Sequence, residues 1–250
     1  MPESFSPYVA RERHVGPYRF DMHIKDPVAR EWYDVEPDQW QRERQWCIDT
    51  IRPGFNVLDC GAHQGLMTLL FSLCTGPAGT VHAWEALPRN AALIARNAAL
   101  NGRTNIVVHP RGIGSEPAFV PINENHGNIV VLGAAAELEE TGRIEIVRLD
   151  DDVDPAMPVH FLKIDVEGHE LHALRGARRI LSARPYLMLE LHNFLFRDRR
   201  QTVAGILRIL DEFGYYLWVD DFTRAMDVGR SPDPVWLAGL THAQLYCVPV

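Results

Sequence analysis

The chain has 250 residues, of which 46% are hydrophobic and 9% aromatic, and its formal net charge is −8 with a pI near 5.7. This much apolar sequence can form a substantial buried core, which argues against a largely disordered protein. The acidic balance disfavours a general binder of nucleic acid or of anionic membranes, because such proteins usually present a basic face.

The cysteines and the apolar stretches indicate the cellular compartment. The four cysteines are scattered without a CxxC pair, so we expect neither a disulfide scaffold nor a cysteine-ligated zinc site. The N-terminus lacks the apolar core of a secretory signal. Residues 60–84 carry no formal charge, but glycines and Pro77 interrupt them, and no continuous membrane-spanning helix is predicted. We therefore expect a soluble, cytoplasmic protein.

Residues 1–52 differ from the rest of the sequence and are predicted to form a cap segment. They are rich in charge, proline and aromatic residues and show no strand-like apolar run. One helix is predicted over residues 38–51, because Pro53 and Gly54 stop it. The aromatic residues either cover the core or line a substrate pocket, and the first role is the more common one for such side chains.

Strands and helices alternate from Asn56 onward, in a main domain that spans residues 53–250. Apolar residues share one helix face in three stretches, at residues 66–73, 171–181 and 203–210. Short apolar strands are predicted at residues 56–60, 80–84, 105–109, 160–165, 186–191, 215–220 and 245–250. This alternation predicts an α/β fold with a parallel sheet and helices on both faces. Residues 111–152 interrupt it and are predicted to form a strand-rich insertion, with extra strands at residues 119–122 and 143–149.

The string VLDCGAHQG at residues 57–65 combines a buried strand, a glycine-spaced turn and the start of a helix. Gly61 permits a tight turn, and Gly65 lets a ligand approach the backbone. The spacing differs from the GxGxxG of dinucleotide sites, and Asp59 would repel a pyrophosphate but suits a positively charged ligand such as S-adenosylmethionine. Glu85 ends the next strand, where a carboxylate can accept both ribose hydroxyls. Together these features favour a nucleoside-binding site over solvated strand ends.

A second string, FLKIDVEGHELHALRGARRIL at residues 161–181, again joins a strand, a glycine turn and a helix. Ligands bind at the carboxyl edge of such sheets, so Asp165 and Glu167 are expected in the same crevice as the first motif. Glu170 stands where a carboxylate complements the helix dipole. The following strand brings three more polar residues to this edge, namely Glu190, His192 and Asn193.

Between about residues 55 and 193 the chain resembles the FkbM family of S-adenosylmethionine-dependent methyltransferases. The strings that carry the resemblance are VLDCGAHQG, HAWEALPRN, RLDDDV, FLKIDVEGHELHALRGA and LMLELHN. The resemblance implies a class I methyltransferase fold, which is Rossmann-like with three layers and a seven-stranded, mostly parallel sheet whose last strand is antiparallel. It also implies O-methyl transfer to hydroxyls of sugars or secondary metabolites.

The resemblance also implies roles for individual residues in binding S-adenosylmethionine. By position, the methionine part of the cofactor falls to Asp59, Gly61 and Gly65, and the ribose to Glu85. Ser115 falls where such enzymes line the adenine pocket. The segment RGIGS at residues 111–115 differs from the small-residue-Ser-Asp ending that is more common in the family at this point. Two further residues are expected to contact the cofactor, namely His63 in the glycine turn and Asp165 at the strand end.

Methyl transfer to an alcohol requires a group that removes the acceptor's proton. The candidate bases are Asp165, His169, Glu190 and His192, of which His192 is the best placed histidine. The alternative is a divalent cation such as Mg²⁺ bound by Asp165, Glu190 and His192, which would orient the acceptor and lower the pKa of its hydroxyl. The simplest alternative is that these acids only form hydrogen bonds to substrate or backbone.

Two other functions remain open beside small-molecule O-methylation. An NAD-dependent oxidoreductase of Rossmann type is opposed by the glycine spacing and by the lack of a Tyr-x-x-x-Lys dyad. A non-catalytic nucleoside-binding module is opposed by the intact acidic set of Asp59, Glu85, Asp165 and Glu190. We expect a small hydroxyl-bearing substrate and no nucleic-acid or membrane partner. A homodimer is considered, and the sequence leaves the oligomeric state open.

Overall fold

The computed structural model describes residues 5–35, 40–122 and 142–250 and contains a central sheet flanked by helices. In chain order the strands are β1 (Tyr8–Val15), β2 (Tyr18–Ile24), β3 (Asn56–Cys60), β4 (Thr80–Trp84), β5 (Ile106–His109), β6 (Gly112–Ile113), β7 (Ala118–Ile122), β8 (Gly142–Val147), β9 (Phe161–Ile164), β10 (Tyr186–Leu191), β11 (Tyr215–Asp220), β12 (Ala225–Gly229) and β13 (Ala243–Pro249). The helices are α1 (Pro27–Ala29), α2 (Gln41–Thr50), α3 (Leu66–Thr75), α4 (Pro88–Leu100), α5 (Leu149–Asp152), α6 (Glu170–Arg175), α7 (Arg178–Ser182), α8 (Arg199–Glu212) and α9 (Pro234–Gly239).

The central sheet has the strand order β12-β11-β13-β10-β9-β3-β4-β5. Strands β5, β4, β3, β9 and β10 pair in parallel, whereas β13 is antiparallel to both of its neighbours. The mostly parallel sheet with an antiparallel last strand is thus confirmed. The expected count of seven strands is wrong, because β12 adds an eighth by pairing with β11. This edge strand has no fully buried residue, so it lacks the apolar pattern that predicts a strand.

Apolar residues alternate between the two faces of the sheet and form two cores. On one face, Leu58, Leu162 and Leu189 pack with residues of α6, α7 and α8. On the other face, Val57 and Phe161 pack with α2, α3 and the β1–β2 hairpin. Because side chains of a strand point alternately to opposite faces, neighbours such as Val57 and Leu58 belong to different cores. This arrangement leaves the carboxyl ends of the parallel strands free to form a site.

The N-terminal segment contains a β-hairpin that its composition did not predict. Strands β1 and β2 pair antiparallel, and Phe20, Met22 and Ile24 enter the core while the residues between them stay partly exposed. The apolar positions therefore follow a period of two, which the many charges of this segment obscure. The predicted helix over residues 38–51 corresponds to α2, and residues 38 and 39 lie outside the described residues.

The predicted insertion contains a small separate sheet. Strands β6, β8 and β7 form it, with β8 in the middle. The strands expected at residues 119–122 and 143–149 correspond to β7 and β8, whereas residues 123–141 lie outside the described residues. Each helix in the described parts of the chain is too short or too polar to cross a bilayer.

Gly61, directly after β3, fixes how closely two strand ends approach. Its φ is +83°, and a Cβ atom built on it would lie 1.7 Å from the carbonyl oxygen of Asp165. Gly54 has a similar φ of +86°, but a Cβ there would meet no atom within 4 Å. Alanine at either position would therefore bear the same backbone strain, and the two variants differ only in the steric clash of the new methyl group.

We expect Gly61→Ala to lower the free energy of unfolding by about 3 kcal/mol or more, because its new methyl group collides with backbone. Gly54→Ala, the matched control, should cost only about 1–2 kcal/mol from its left-handed conformation. Urea denaturation of both variants measures the difference. Equal losses in the two variants would show that the β3 and β9 ends are not packed as described.

Candidate active site

A cavity of about 500 Å³ opens at the carboxyl ends of β3, β4, β9 and β10, which is within the usual size of a small-molecule site. Most of the residues predicted from the sequence line it, namely Gly61, His63, Glu85, Asp165, His169, Glu190 and His192. Three predicted residues do not, namely Asp59, Gly65 and Ser115. The strand edge thus collects most, but not all, of the expected side chains.

Glu85 presents a carboxylate to the cavity at the end of β4. Its Oε2 atom accepts a hydrogen bond from the backbone N–H of His63 at 2.8 Å, and its Oε1 atom accepts one from the N–H of Leu87 at 2.9 Å. Burial raises the pKa of Glu85 to about 7. These bonds and a longer one from the Asn90 amide to Oε1, at 3.5 Å, hold the carboxylate between the β3 turn and α4, and Oε2 keeps a lone pair for a ligand hydroxyl.

Asp59 does not reach the cavity, contrary to the expected cofactor contact. Its side chain is fully buried, and its Oδ2 atom accepts a hydrogen bond from the Thr68 hydroxyl at 2.6 Å. Burial raises the pKa of Asp59. Asp59 lies within β3 rather than after it, and its contact with Thr68 joins the strand to α3.

Gly65 and Ser115 also lie away from the cavity. Gly65 precedes α3 with a φ of +92°, and a Cβ there would lie 3.2 Å from the side chain of Ile94. The Ser115 hydroxyl lies 3.2 Å from Nδ1 of His172 on α6. Because β6 pairs with β8, the chain after Ile113 turns away from the cavity, and Ile113 itself takes the lining position.

Lys163, which the sequence analysis did not single out, joins the ends of β3 and β9. Its Nζ atom lies 2.9 Å from Oδ2 of Asp165 and 3.8 Å from Oδ1 of Asp59, and it donates to the carbonyl oxygen of Gly61 at 3.4 Å. Burial disfavours the ammonium, but the carboxylates of Asp165 and Asp59 outweigh it and raise the pKa of Lys163. The available signal was a lysine inside the otherwise apolar strand FLKI.

The imidazole of His192 turns its Nε2 atom towards three carboxylates. Its Nε2 atom lies 3.4 Å from Oε2 of Glu167, 3.8 Å from Oδ1 of Asp165 and 3.8 Å from Oε1 of Glu190. A second histidine, His242, places its Nε2 atom 2.6 Å from the same Glu190 oxygen. We call these five residues the acid–imidazole cluster. His242 was missed because 50 residues separate it from His192 in the sequence.

The acidic members of the cluster differ in pKa because their surroundings differ. Although burial opposes its ionisation, the charges of Lys163 and His192 hold the pKa of Asp165 below its ordinary value. Burial and the Asp165 charge raise the pKa of Glu190 to about 8, and burial raises that of Glu167 to about 7. At neutral pH the cluster therefore contains both ionised and protonated carboxyl groups.

His169 lies at the edge of this arrangement. It precedes α6 and lines the cavity, and its ring centroid is 5.7 Å from that of His172. Burial lowers the pKa of His169, so the ring is neutral at pH 7. Among the described residues no ion pair joins His169 to the acid–imidazole cluster, although both line the same cavity.

The N-terminal segment forms the opposite wall of the cavity. Trp32, Tyr33, Trp40 and Glu43 line it, and the Trp32 and Trp40 rings stand nearly perpendicular at 5.7 Å between centroids. These aromatic residues thus line a pocket, whereas Trp46 packs in the core at 5.4 Å from Phe161. Burial and the charge of Glu190 raise the pKa of Glu43 to about 8.

The acid–imidazole cluster suits proton transfer better than it suits the Mg²⁺ ion that the sequence analysis weighed as an alternative. Two sets of side chains are close enough to share an ion, namely Asp165, Glu167 and His192, and Glu190, His192 and His242. Mg²⁺ prefers octahedral oxygen ligands and retained waters, whereas both sets are centred on an imidazole. The Lys163 ammonium also occupies one Asp165 oxygen. The donor set is therefore a poor match for Mg²⁺.

This fold and this strand-edge cavity define a class I methyltransferase domain. The sequence profile of the methyltransferase FkbM domain matches residues 59–217, which is more than half of the chain. The chain therefore belongs to the FkbM methyltransferase family, as its motifs predicted.

Several known proteins are similar to this chain. Methyltransferase 1 of Beauveria bassiana is 26% identical over 147 residues, which are 48% of this chain and 57% of that protein. The structure of methyltransferase FkbM from Methylobacillus flagellatus superposes with a TM-score of 0.51 at 19% identity, over 82% of this chain and 51% of that one. An S-adenosylmethionine-dependent O-methyltransferase from Thermotoga maritima superposes with a TM-score of 0.51 at 12% identity, over 97% of this chain and 77% of that one. The chain thus spans little more than half the length of the first two, and the structural likenesses concern the fold.

The lining of the cavity fits S-adenosylmethionine, the methyl donor of the family. Glu85 offers hydrogen-bond acceptors of the kind that bind a ribose diol. Beside it, Leu87, Ile144 and Ile146 form an apolar patch of the cavity wall that suits an adenine ring. The carboxylates at the β9 and β10 ends suit the positive charges of the sulfonium and amino groups.

We expect Lys163→Met to lower the free energy of unfolding by about 3–5 kcal/mol, because it leaves the buried carboxylate of Asp59 and the partly buried carboxylate of Asp165 without their cation. Arg178→Met is the matched control, since Arg178 and Glu212 form an ion pair in which both side chains are about half exposed. That loss should stay below about 1 kcal/mol. Chemical denaturation measures both, and similar losses would contradict the structural role of Lys163.

Proposed function

We propose that the protein transfers a methyl group from S-adenosylmethionine to a hydroxyl of a small molecule, such as a sugar or a secondary metabolite. One observation carries the proposal: a single cavity joins a ribose-type carboxylate, Glu85, to an acid–imidazole cluster across the Gly61 turn. A nucleoside site and a proton-accepting site in one cavity are what hydroxyl methylation requires.

The residues at the β3 and β4 ends bind the methyl donor in this proposal. Glu85 accepts hydrogen bonds from the ribose hydroxyls, and the backbone of the turn from Gly61 to His63 supports the methionine part. S-adenosylmethionine supplies an electrophilic methyl group on a positively charged sulfur. Asp165, which Lys163 keeps ionised, faces that positive charge and favours its position at the β9 end.

The residues at the β9 and β10 ends orient the acceptor and remove its proton in this proposal. The hydroxyl oxygen must lie in line behind the methyl group, at about 3 Å. As the carbon–oxygen bond forms, the carbon–sulfur bond breaks, its electron pair stays on sulfur, and the hydroxyl proton leaves. Glu167 accepts this proton, because a base with a pKa near 7 is well matched to neutral pH. The Trp32 and Trp40 rings suit the apolar face of a sugar or an aromatic acceptor.

The charged groups of the cavity disfavour a nucleic-acid acceptor, an NAD-dependent oxidoreductase and a non-catalytic binding module. Nucleic acid is a poor acceptor, because a wall with this many carboxylates repels a phosphate backbone. An NAD pyrophosphate meets the same repulsion. A module that only binds nucleosides does not need the buried His192 imidazole beside the partly buried carboxylates of Asp165 and Glu167, an arrangement that costs stability. No Mg²⁺ ion enters the proposed mechanism.

Binding of S-adenosylhomocysteine should depend on Glu85. We expect the wild-type protein to bind it and not NAD, and Glu85→Gln to weaken binding about 10–100-fold, because a hydrogen bond to a charged group contributes about 1.5–3 kcal/mol. Glu145→Gln is the control, since Glu145 is an exposed residue on β8. Isothermal titration calorimetry gives the dissociation constants. Equal affinities of the two variants for S-adenosylhomocysteine would show that Glu85 does not bind it.

The protein should methylate hydroxyl groups rather than amino groups. We expect label from methyl-labelled S-adenosylmethionine to enter hydroxyl-bearing sugars or phenols and not their amino analogues, with rates that survive removal of divalent cations by EDTA. Label found only in the amines, or activity that requires added Mg²⁺, would contradict the proposed reaction. A Glu167→Gln variant that transfers methyl groups at the wild-type rate would remove Glu167 as the base.

A further inference from the structure

Glu170 is a completely buried carboxylate that does not line the cavity. Its Oε1 atom lies 2.8 Å from Nδ1 of His192 and accepts a hydrogen bond from the backbone N–H of Gly168 at 2.9 Å. Its Oε2 atom has no hydrogen-bond partner within the described parts of the chain. Burying a carboxylate with one oxygen unsatisfied is costly, so a role beyond stability is expected of it.

The first contact of Glu170 fixes the orientation of His192. The imidazole is 4% exposed, and because its Nδ1 atom faces Glu170, its Nε2 atom faces the cavity. There it meets Glu167 and Asp165 from the segment after β9, and Glu190 from the end of β10. A further titratable neighbour is His242, before β13, whose ring centroid is 4.8 Å away.

The second contact of Glu170 fixes the turn that carries Glu167. Glu167 has a φ of +49° and Gly168 one of +92°, so two successive residues adopt the left-handed conformation that non-glycine residues disfavour. The hydrogen bond from the Gly168 N–H to Glu170 holds this turn closed. As a result, the Glu167 carboxylate lies 3.4 Å from the His192 Nε2 atom.

We propose that Glu170 is a positioning residue for methyl transfer, whose single Oε1 atom holds both the His192 imidazole and the Glu167 turn so that the two groups face the acceptor as an acid–base pair. This inference rests on the proposed function. In the reaction, the acceptor's proton goes to the Glu167 carboxylate, the methyl group goes to the acceptor oxygen, and the carbon–sulfur electron pair stays on sulfur.

The charges of the pair agree with this geometry. Burial disfavours the imidazolium, but the Glu170 hydrogen bond and the surrounding carboxylates outweigh it and raise the pKa of His192 to about 10. The resulting positive charge acts against the burial that raises the pKa of Glu167. Glu170 therefore acts on the Glu167 base by way of His192, whose charge limits the rise in the pKa of Glu167, without touching the substrate itself.

The test is an NMR titration of ¹⁵N-histidine-labelled full-length protein with S-adenosylhomocysteine bound, in which His192→Gln identifies the His192 signals. We expect Glu170→Gln to lower the proton affinity of His192 at least about tenfold while the dissociation constant of S-adenosylhomocysteine changes less than about twofold. A purely structural role of Glu170 would change the melting temperature but not the titration of His192.

Asp150→Asn is the matched control. Asp150 is also a carboxylate that accepts backbone N–H groups at the start of a helix, from Arg179 at 2.7 Å and Ile180 at 3.1 Å. We expect this variant to leave the His192 titration unchanged. If Glu170→Gln does not fold, Glu170→Asp keeps the charge but withdraws the oxygen by one methylene, and it should shift the titration in the same direction.

The outcomes separate the two proposals. An unchanged His192 titration in a Glu170 variant that binds S-adenosylhomocysteine would overturn the positioning role and leave the proposed function standing. A wild-type protein that does not bind S-adenosylhomocysteine would overturn the proposed function, whereas the His192 titration of the unliganded protein would still report on Glu170.

Discussion

The buried ammonium of Lys163 is the interaction on which the site depends. It lies between the carboxylates of Asp59 and Asp165 and also donates to the Gly61 carbonyl, so one charge joins the interior of β3, the turn after it and the end of β9. Removing buried charges from water is expensive and is repaid only when the partners are well placed. Because these contacts leave the turn little freedom, the cavity is preorganised for its ligand rather than assembled around it.

The net charge of −8 has a physical meaning once its placement is known. Glu43, Glu85, Asp165, Glu167 and Glu190 all line one cavity, whereas Lys163 and His192 are cations within the same group of side chains. The surplus of carboxyl groups favours a positively charged ligand. Burial, together with repulsion from neighbouring carboxylates, raises the pKa values of several acids to near neutrality. A proton can then move within the cluster at little cost, which is the property that hydroxyl methylation needs.

Much of the fold and part of the site could be predicted from the sequence, because buried strands and glycine turns leave local signals. The strands that carry Glu85, Asp165 and Glu190 were found in this way. Asp59 was misplaced because a motif does not reveal on which side of a strand a side chain points. Glu43 and His242 were missed, since they approach the site only through tertiary contacts between distant segments. Lys163 lies within the recognised string FLKID, but its role depends on contacts with Asp59 and Gly61 that the string does not reveal. The β1–β2 hairpin and β12 carry too many polar residues to read as strands.

The central claim is that the strand-edge cavity binds the methyl donor with its ribose at Glu85 and its sulfur towards Asp165. A crystal structure of the protein with S-adenosylhomocysteine tests this most directly. The account predicts both ribose hydroxyls within hydrogen-bonding distance of the Glu85 carboxylate, the adenine against Leu87 and Ile146, and the sulfur between the Gly61 turn and the acid–imidazole cluster. A ligand bound outside this cavity, or with its ribose away from Glu85, would contradict the account.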